Sequence, residues 1–221
     1  MKAIVFDLDG TLIDSAPDIH LASCKVLDLR GISHISLDTA RGFIGHGAEV
    51  FVARLMSAVG LPAAETPKVL HDFLQAYETA VHLTQPYPGV LQALTALGDA
   101  GWTIGLCTNK PLVPTRAVLA HVGLNGVFGA VIGGDSLPQR KPDAAPLWAC
   151  LRVLGAEQAL FVGDSEVDAQ TALNAALPFA LFTEGYRKVP IDQLPHLFAF
   201  SDFAALPELA ERWSADQART R

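Results

Sequence analysis

Cysteine is sparse in this 221-residue chain, and its three copies, Cys24, Cys107 and Cys150, form no close pair and no metal-ligand spacing. That excludes a disulfide framework or a thiolate metal site and leaves buried free thiols as the expectation. Positive charge is also short: 16 Lys and Arg stand against 23 Asp and Glu, a formal charge of −7. Such a balance argues against a nucleic-acid backbone as partner, although a small phosphate needs only local positive charge. Half of the residues are apolar, yet no run approaches the roughly 18 uncharged residues of a membrane span. No secretory leader is expected either, since Asp7 cuts off the apolar stretch after Lys2, and residence in the cytoplasm is the expectation. Repeats and low-complexity segments are missing. The polar end, Ser214 to Arg221, is expected to fray.

What is present is carboxylate placed at the ends of apolar runs. Ile4 to Thr11 reads IVFDLDGT. Residues two apart in a strand point the same way, so Asp7 and Asp9 would project together into one pocket, which is costly unless a cation or a reaction uses them. A solvated Asp-Gly turn is the competing explanation for this segment taken alone. The design recurs, however. Trp102 to Cys107 leads into Thr108, Asn109 and Lys110; Ala130 to Gly134 precedes Asp135 and then Lys141-Pro142; Leu160 to Gly163 ends at Asp164, with Asp168 four residues on. Helix-like stretches separate these runs, at 90–100, 114–123, 143–155 and 167–176. The alternation predicts an α/β fold with an open, parallel, Rossmann-like sheet and helices on both faces. Ligands bind beyond the carboxyl ends of such strands, which gathers Asp7, Asp9, Thr108, Lys141 and Asp164 at one rim.

FDLDGTLIDS (Phe6 to Ser15), CTNK (Cys107 to Lys110), RKPD (Arg140 to Asp143) and VGDSEVD (Val162 to Asp168) resemble, in order, the four motifs of the haloacid dehalogenase superfamily in its phosphatase branch. GGDSLPQRKPD (Gly133 to Asp143) and TEGYR (Thr183 to Arg187) are similar to the phosphoglycolate phosphatase subfamily. Two departures concern helix ends: Ala144 stands where many relatives have proline, and Ala176 where a glycine usually closes the helix.

About seventy residues separate Asp14 from Tyr87-Pro88-Gly89, and they read as helix after helix. The expected division is an α/β core of residues 1–14 and 87–221, with a small helical cap of residues 15–86 inserted after the first core strand, as in the resembling family. Ser15 with Asp18 makes a capping-box-like start, and Gly31 can stop that helix. Ala48 to Val59 is a second helix. A third starts at Thr66-Pro67, where Val69, Leu70, Phe73, Leu74 and Tyr77 form a stripe read as core packing. A lid of this kind would exclude water and select substrates.

The chemistry follows. Asp7 is the expected nucleophile, forming an aspartyl-phosphate. Asp9 is placed to protonate the leaving oxygen and then to deprotonate water. Asp7, the Asp9 backbone carbonyl and Asp164 offer oxygen ligands that suit Mg²⁺, with Asp168 orienting them; the resemblance implies the same roles. Thr108 and the backbone at Asn109 can donate to the transferring phosphoryl group, and Lys141 supplies charge. Pro142 is expected in the first helical turn, with Lys141 just ahead of it. Lys110 has no role beyond its motif. The histidines, at 20, 34, 46, 71, 82, 121 and 196, lack metal spacing; only His46 stands out, because Gly45-His46-Gly47 precedes a helix and could form an anion-receptive N-terminus in the cap, a plain turn being the alternative.

The expected function is Mg²⁺-dependent hydrolysis of a small phosphomonoester, 2-phosphoglycolate on the strength of the resemblance. A pyrophosphatase, sugar-phosphate phosphatase or phosphomutase of the same superfamily is the alternative. Dehalogenation is disfavoured by Asp9, since that chemistry has no leaving alkoxide to protonate. A non-catalytic phosphate-binding regulator is the reading from another class, against which the intact set Asp7, Asp9, Thr108, Lys141 and Asp164 speaks.

Overall fold

The structure is a computed structural model that describes residues 2–156 and 158–219. The apolar run after Lys2 forms β1 (Ala3–Phe6), buried along its whole length. Its side chains alternate between two cores: Ile4 and Phe6 face one side of the sheet, Ala3 and Val5 the other. A two-residue strand, β2 (Ile13–Asp14), then leads out of the sheet layer into α1 (Ala16–Asp28), α2 (Leu37–Arg41), α3 (Ala48–Val59) and α4 (Thr66–Glu78). These helices enclose a core of their own, in which Phe51, Phe73 and Tyr77 stack in sequence. The chain returns through β3 (Gln85–Pro86), which pairs antiparallel with β2.

The remaining elements alternate: α5 (Val90–Asp99), β4 (Thr103–Cys107), α6 (Leu112–His121), β5 (Ala130–Ile132), α7 (Ala145–Leu154), β6 (Leu160–Gly163), α8 (Glu166–Ala175), β7 (Phe179–Phe182), β8 (Phe198–Phe200) and α9 (Leu206–Arg219). Six strands form one parallel sheet in the order β5-β4-β1-β6-β7-β8. Residues of α5, α6 and α9 pack on one face, and residues of α7 and α8 on the other. Each fully buried Leu or Phe in these layers contributes about 2–3 kcal/mol through area removed from water. β1 lies between β4 and β6, so connections leave it in opposite directions. A crevice opens at that switch point beyond the strand ends, and Asp7, Thr108 and Asp164 stand around it.

Several local expectations need correction. Ser15 caps α1 by position only, with no side-chain hydrogen bond to the helix. Asp18 instead turns inward and accepts from Leu83 N, Thr84 N and Thr84 Oγ1 at 2.9, 2.7 and 2.6 Å, which ties the start of α1 to the returning chain. α7 begins at Ala145 with Pro146 in its first turn, so Pro142 lies outside the helix, after a cis peptide from Lys141. The polar end continues α9 up to Arg219, a helix whose start is buried at Leu206 and Ala210, while Thr220 and Arg221 lie outside the described residues. β7, β8, α2 and α9 are elements that the sequence patterns above do not predict. Ala176, standing where glycine is usual, takes that glycine's left-handed conformation at φ 55°.

Candidate active site

Asp7 follows β1 directly, and its N–H still pairs with Val162 O at 2.9 Å. The Leu8 carbonyl then accepts from the N–H groups of Thr11, Leu12 and Ile13. Asp9 therefore sits on a tight turn rather than on the strand that simple alternation predicts, yet both carboxylates line one cleft with Thr108, Asn109 and Lys110.

Asp164, beyond β6, receives Thr11 Oγ1 on Oδ1 at 2.8 Å and Tyr186 N on Oδ2 at 2.6 Å. Asp168 sits at the third helical position of α8 in a reciprocal cap with Ser165. Its Oδ2 accepts from Ser165 Oγ at 2.6 Å and from the backbone of Asp164 and Ser165. Lys141 Nζ lies 2.7 Å from Asp168 Oδ1 and 2.7 Å from Asp7 Oδ1. Glycine makes this packing possible, because a Cβ at Gly10, Gly163 or Gly185 would come within 3.0 Å of the Asp164 or Asp168 side chain.

Asp7, Asp164 and Asp168 can each place an oxygen within 4.8 Å of the others, and all three are buried. Three carboxylates against the single ammonium of Lys141 leave excess negative charge. Burial, reinforced by the Asp168 charge and opposed by Lys141, pushes Asp7 up to about 7. Burial and the neighbouring carboxylates likewise hold Asp164 well above the ordinary carboxylate range. For Lys141 burial acts downward, but Asp168 and Asp7 outweigh it and keep the ammonium charged. A buried, oxygen-only cluster of this sign fits a hard divalent cation. Each of the three carboxylates already meets a donor: Asp7 Oδ1 meets Lys141, Asp164 meets Thr11 and Tyr186, and Asp168 meets Lys141 and Ser165.

Thr108 follows β4, with its N–H on Ile132 O at 3.0 Å, and its Oγ1 accepts from Lys110 N. The Asn109 side chain is turned to positioning. Its oxygen accepts from Lys141 N at 3.0 Å, and its amide donates to Lys141 O at 2.9 Å and Gly45 O at 3.0 Å. This clamp, not the helix start foreseen at Pro142, holds Lys141.

The insertion closes over the cleft. Gly45 and Gly47 line it, and Gly47, at φ 86°, precedes α3. His46 faces a narrower extension of the cleft toward Asp164, with Nδ1 buried and without a hydrogen-bond partner among the described residues. Burial, with help from Arg54 and Lys188, lowers its pKa.

Four participants, Ser15, Lys110, Tyr77 and Tyr186, take roles that the sequence reading does not assign them. Ser15 Oγ donates to Asp9 Oδ1 at 2.5 Å. Lys110 Nζ donates to Asp9 Oδ1 at 3.1 Å and to the Tyr77 hydroxyl, so Tyr77 carries more than the packing role given to its stripe. The Tyr186 hydroxyl accepts from Ser15 N and Ala16 N and donates to Asp14 Oδ1, joining the turn that holds Asp164 to the entrance of the insertion. TEGYR was the one signal for Tyr186.

The haloacid dehalogenase-like hydrolase family matches residues 1–176. A phosphoglycolate phosphatase of Rhodobacter capsulatus is 49% identical over 218 residues, covering 96% of this chain and 98% of that protein. Another from Rhodospirillum rubrum is 42% identical, covering 93% and 89%. A crystal structure described as a predicted phosphoglycolate phosphatase from Haemophilus somnus 129pt has a TM-score of 0.89 at 32% identity, covering 95% of this chain and 97% of that one. Among the described residues no helix is long and apolar enough to cross a membrane. With the family match covering most of the chain and the carboxylates gathered at the carboxyl ends of its strands, this chain belongs to the haloacid dehalogenase-like hydrolases.

Proposed function

We propose that this enzyme is a Mg²⁺-dependent phosphomonoesterase that hydrolyses 2-phosphoglycolate to glycolate and phosphate through an aspartyl-phosphate at Asp7. The observation that carries the reading is the position of Asp7, which faces the cleft and is held at 2.7 Å by Lys141 beside Asp164 and Asp168. An Asp7 oxygen attacks phosphorus as the ester oxygen departs with a proton from Asp9. Asp9 then takes a proton from the water that attacks the acyl phosphate, releasing phosphate and regenerating Asp7. Lys141 and Thr108, with the backbone at Asn109, offset and orient charge on the equatorial oxygens.

Asp7, Asp164 and the Asp9 carbonyl would hold Mg²⁺, which supplies charge neutralisation for the incoming phosphate when bound. Asp168 orients this set through Lys141 and Ser165. Residues 15–86 act as the cap, and Gly45, His46 and Gly47 are its contribution to substrate choice. The near-complete overlap with phosphoglycolate phosphatases supports the substrate, and three free buried cysteines suit a reducing cytoplasm.

A phosphate-release screen over small phosphomonoesters with Mg²⁺ tests the reading. 2-Phosphoglycolate is expected to give the highest kcat/KM, and wild-type protein to take up beryllofluoride at Asp7. Preference for pyrophosphate or hexose phosphates would move the activity elsewhere in the family. Steady turnover by Asp7→Asn, with deamidation excluded, would sink the covalent route.

A further inference from the structure

The cleft over Asp7 and Asp9 has an apolar cap side, formed by Ile19, Ile44, Phe51 and Phe73. A carboxylate entering it would meet two aspartates and a hydrocarbon wall, which is unfavourable unless a cation faces it. Among the lining residues Lys110 carries the positive charge. Its side chain is 3% exposed, with Nζ 3.1 Å from Asp9 Oδ1 and 4.3 Å from the centre of the Tyr77 ring. Lys141, the other buried ammonium near Asp7, is engaged by Asp7 and Asp168. The Tyr77 hydroxyl accepts from Lys110 and so retains its own proton to donate. Burial favours the protonated phenol.

We infer that Lys110 of the core and the Tyr77 hydroxyl of the insertion together receive the carboxylate of the substrate. The inference rests on the phosphoglycolate reading above and assigns the substrate's second anion to a residue pair. The spacing suits it. Asp9 meets the ester oxygen, the glycolate carboxyl carbon is two bonds beyond that oxygen, and Lys110 Nζ is the cation next to Asp9. Because one donor comes from each side of the cleft, a bound carboxylate bridges the two sides. Gly45 and Gly47 of the insertion border the same cleft without placing a formal charge in it.

The test is the ratio of kcat/KM for 2-phosphoglycolate to that for ethyl phosphate, in which a methyl group replaces the carboxylate. It is measured on wild-type, Lys110→Met, Lys110→Arg and Tyr77→Phe enzymes. Lys110→Met is expected to lower the ratio by on the order of 10²-fold, the usual consequence of removing one partner of a buried charge pair. Lys110→Arg should keep most of it, and Tyr77→Phe should lower it by about 3- to 10-fold. Each ratio is taken on one preparation, so incomplete folding does not alter it, and if Lys110→Met is not recovered the Tyr77→Phe ratio decides. Equal losses on both substrates would mean that Lys110 serves only to hold Asp9, and would overturn the inference while leaving the phosphoglycolate reading intact. A wild-type ratio near one would overturn that reading itself and the inference with it.

Discussion

The side-chain amide of Asn109 donates to the carbonyl of Gly45 at 3.0 Å, across 64 positions of sequence. One residue at the end of β4 thereby grips the insertion while bracketing Lys141 on both sides of its backbone.

Asn109→Ala should therefore impair both closure and charge placement. It leaves three backbone groups short of a partner, and leaving a buried group unsatisfied costs about 1–3 kcal/mol. Thermal unfolding should shift down by roughly 2–4 °C for each kcal/mol lost. Turnover of every phosphomonoester should fall by on the order of 10-fold or more through the displaced Lys141. Calorimetry and steady-state kinetics on the same protein check the two effects, and unchanged values in both would remove the clamp from the account.

Asp9→Asn should slow turnover by roughly 10² to 10⁴, the usual worth of general acid-base assistance. The loss should shrink for aryl phosphates, whose leaving oxygen needs no proton. Chelation should stop both proteins. A chelated enzyme that hydrolyses phosphate esters at the wild-type rate would show the Mg²⁺ assignment to be wrong.

Stability of the metal-free protein should depend on pH through Asp7. Burial raises this carboxyl from 3.8 to about 7, so the folded state retains a proton that the unfolded chain gives up in that interval. The folded state therefore loses stability as pH rises from about 4 to about 7, and the contribution levels off above that. Melting in a chelator at stepped pH values checks it. Asp7→Asn should flatten the slope and exceed wild type in stability above pH ~7, whereas a parallel pair of curves would contradict the assignment. Added Mg²⁺ should raise the wild-type melting temperature more at high pH than at low, because binding competes with protons.

Ala176→Gly should stabilise the enzyme without touching its chemistry. Ala176 is the one non-glycine residue with positive φ among the described residues, and an L side chain there costs roughly 1–2 kcal/mol. A melting temperature higher by about 2–4 °C per kcal/mol regained is the expected result, and no change would mean that the αL strain is relieved elsewhere.

How far the sequence could be read depended on the range of the interactions. The sheet and most of its polar rim were legible because an apolar run directly precedes Asp7, Thr108 and Asp164, a local pattern, whereas Lys141 follows its run only after the polar stretch Asp135 to Arg140. The Lys110 contact with Asp9 spans 101 positions and that of Tyr186 with Asp14 spans 172, and no local spacing announces either. Ser15 and Asp18 show the opposite failure. Their capping pattern was local and clear, but Asp9 and Thr84 are better partners once the chain folds. Pro142 misled in the same way, since a proline before a helical run is compatible with a start several residues later.

The bare backbones at Gly10, Gly163 and Gly185, against which Asp164 and Asp168 pack, give the active site a mutational target larger than its chemistry. None of these glycines touches a proton or a phosphoryl group, yet a methyl group on any of them would displace a carboxylate. A survey of tolerated substitutions should find them as intolerant as the acids they accommodate. Intolerance mapped without structure would overstate the number of residues that react and understate how much of catalysis here is the keeping of empty space.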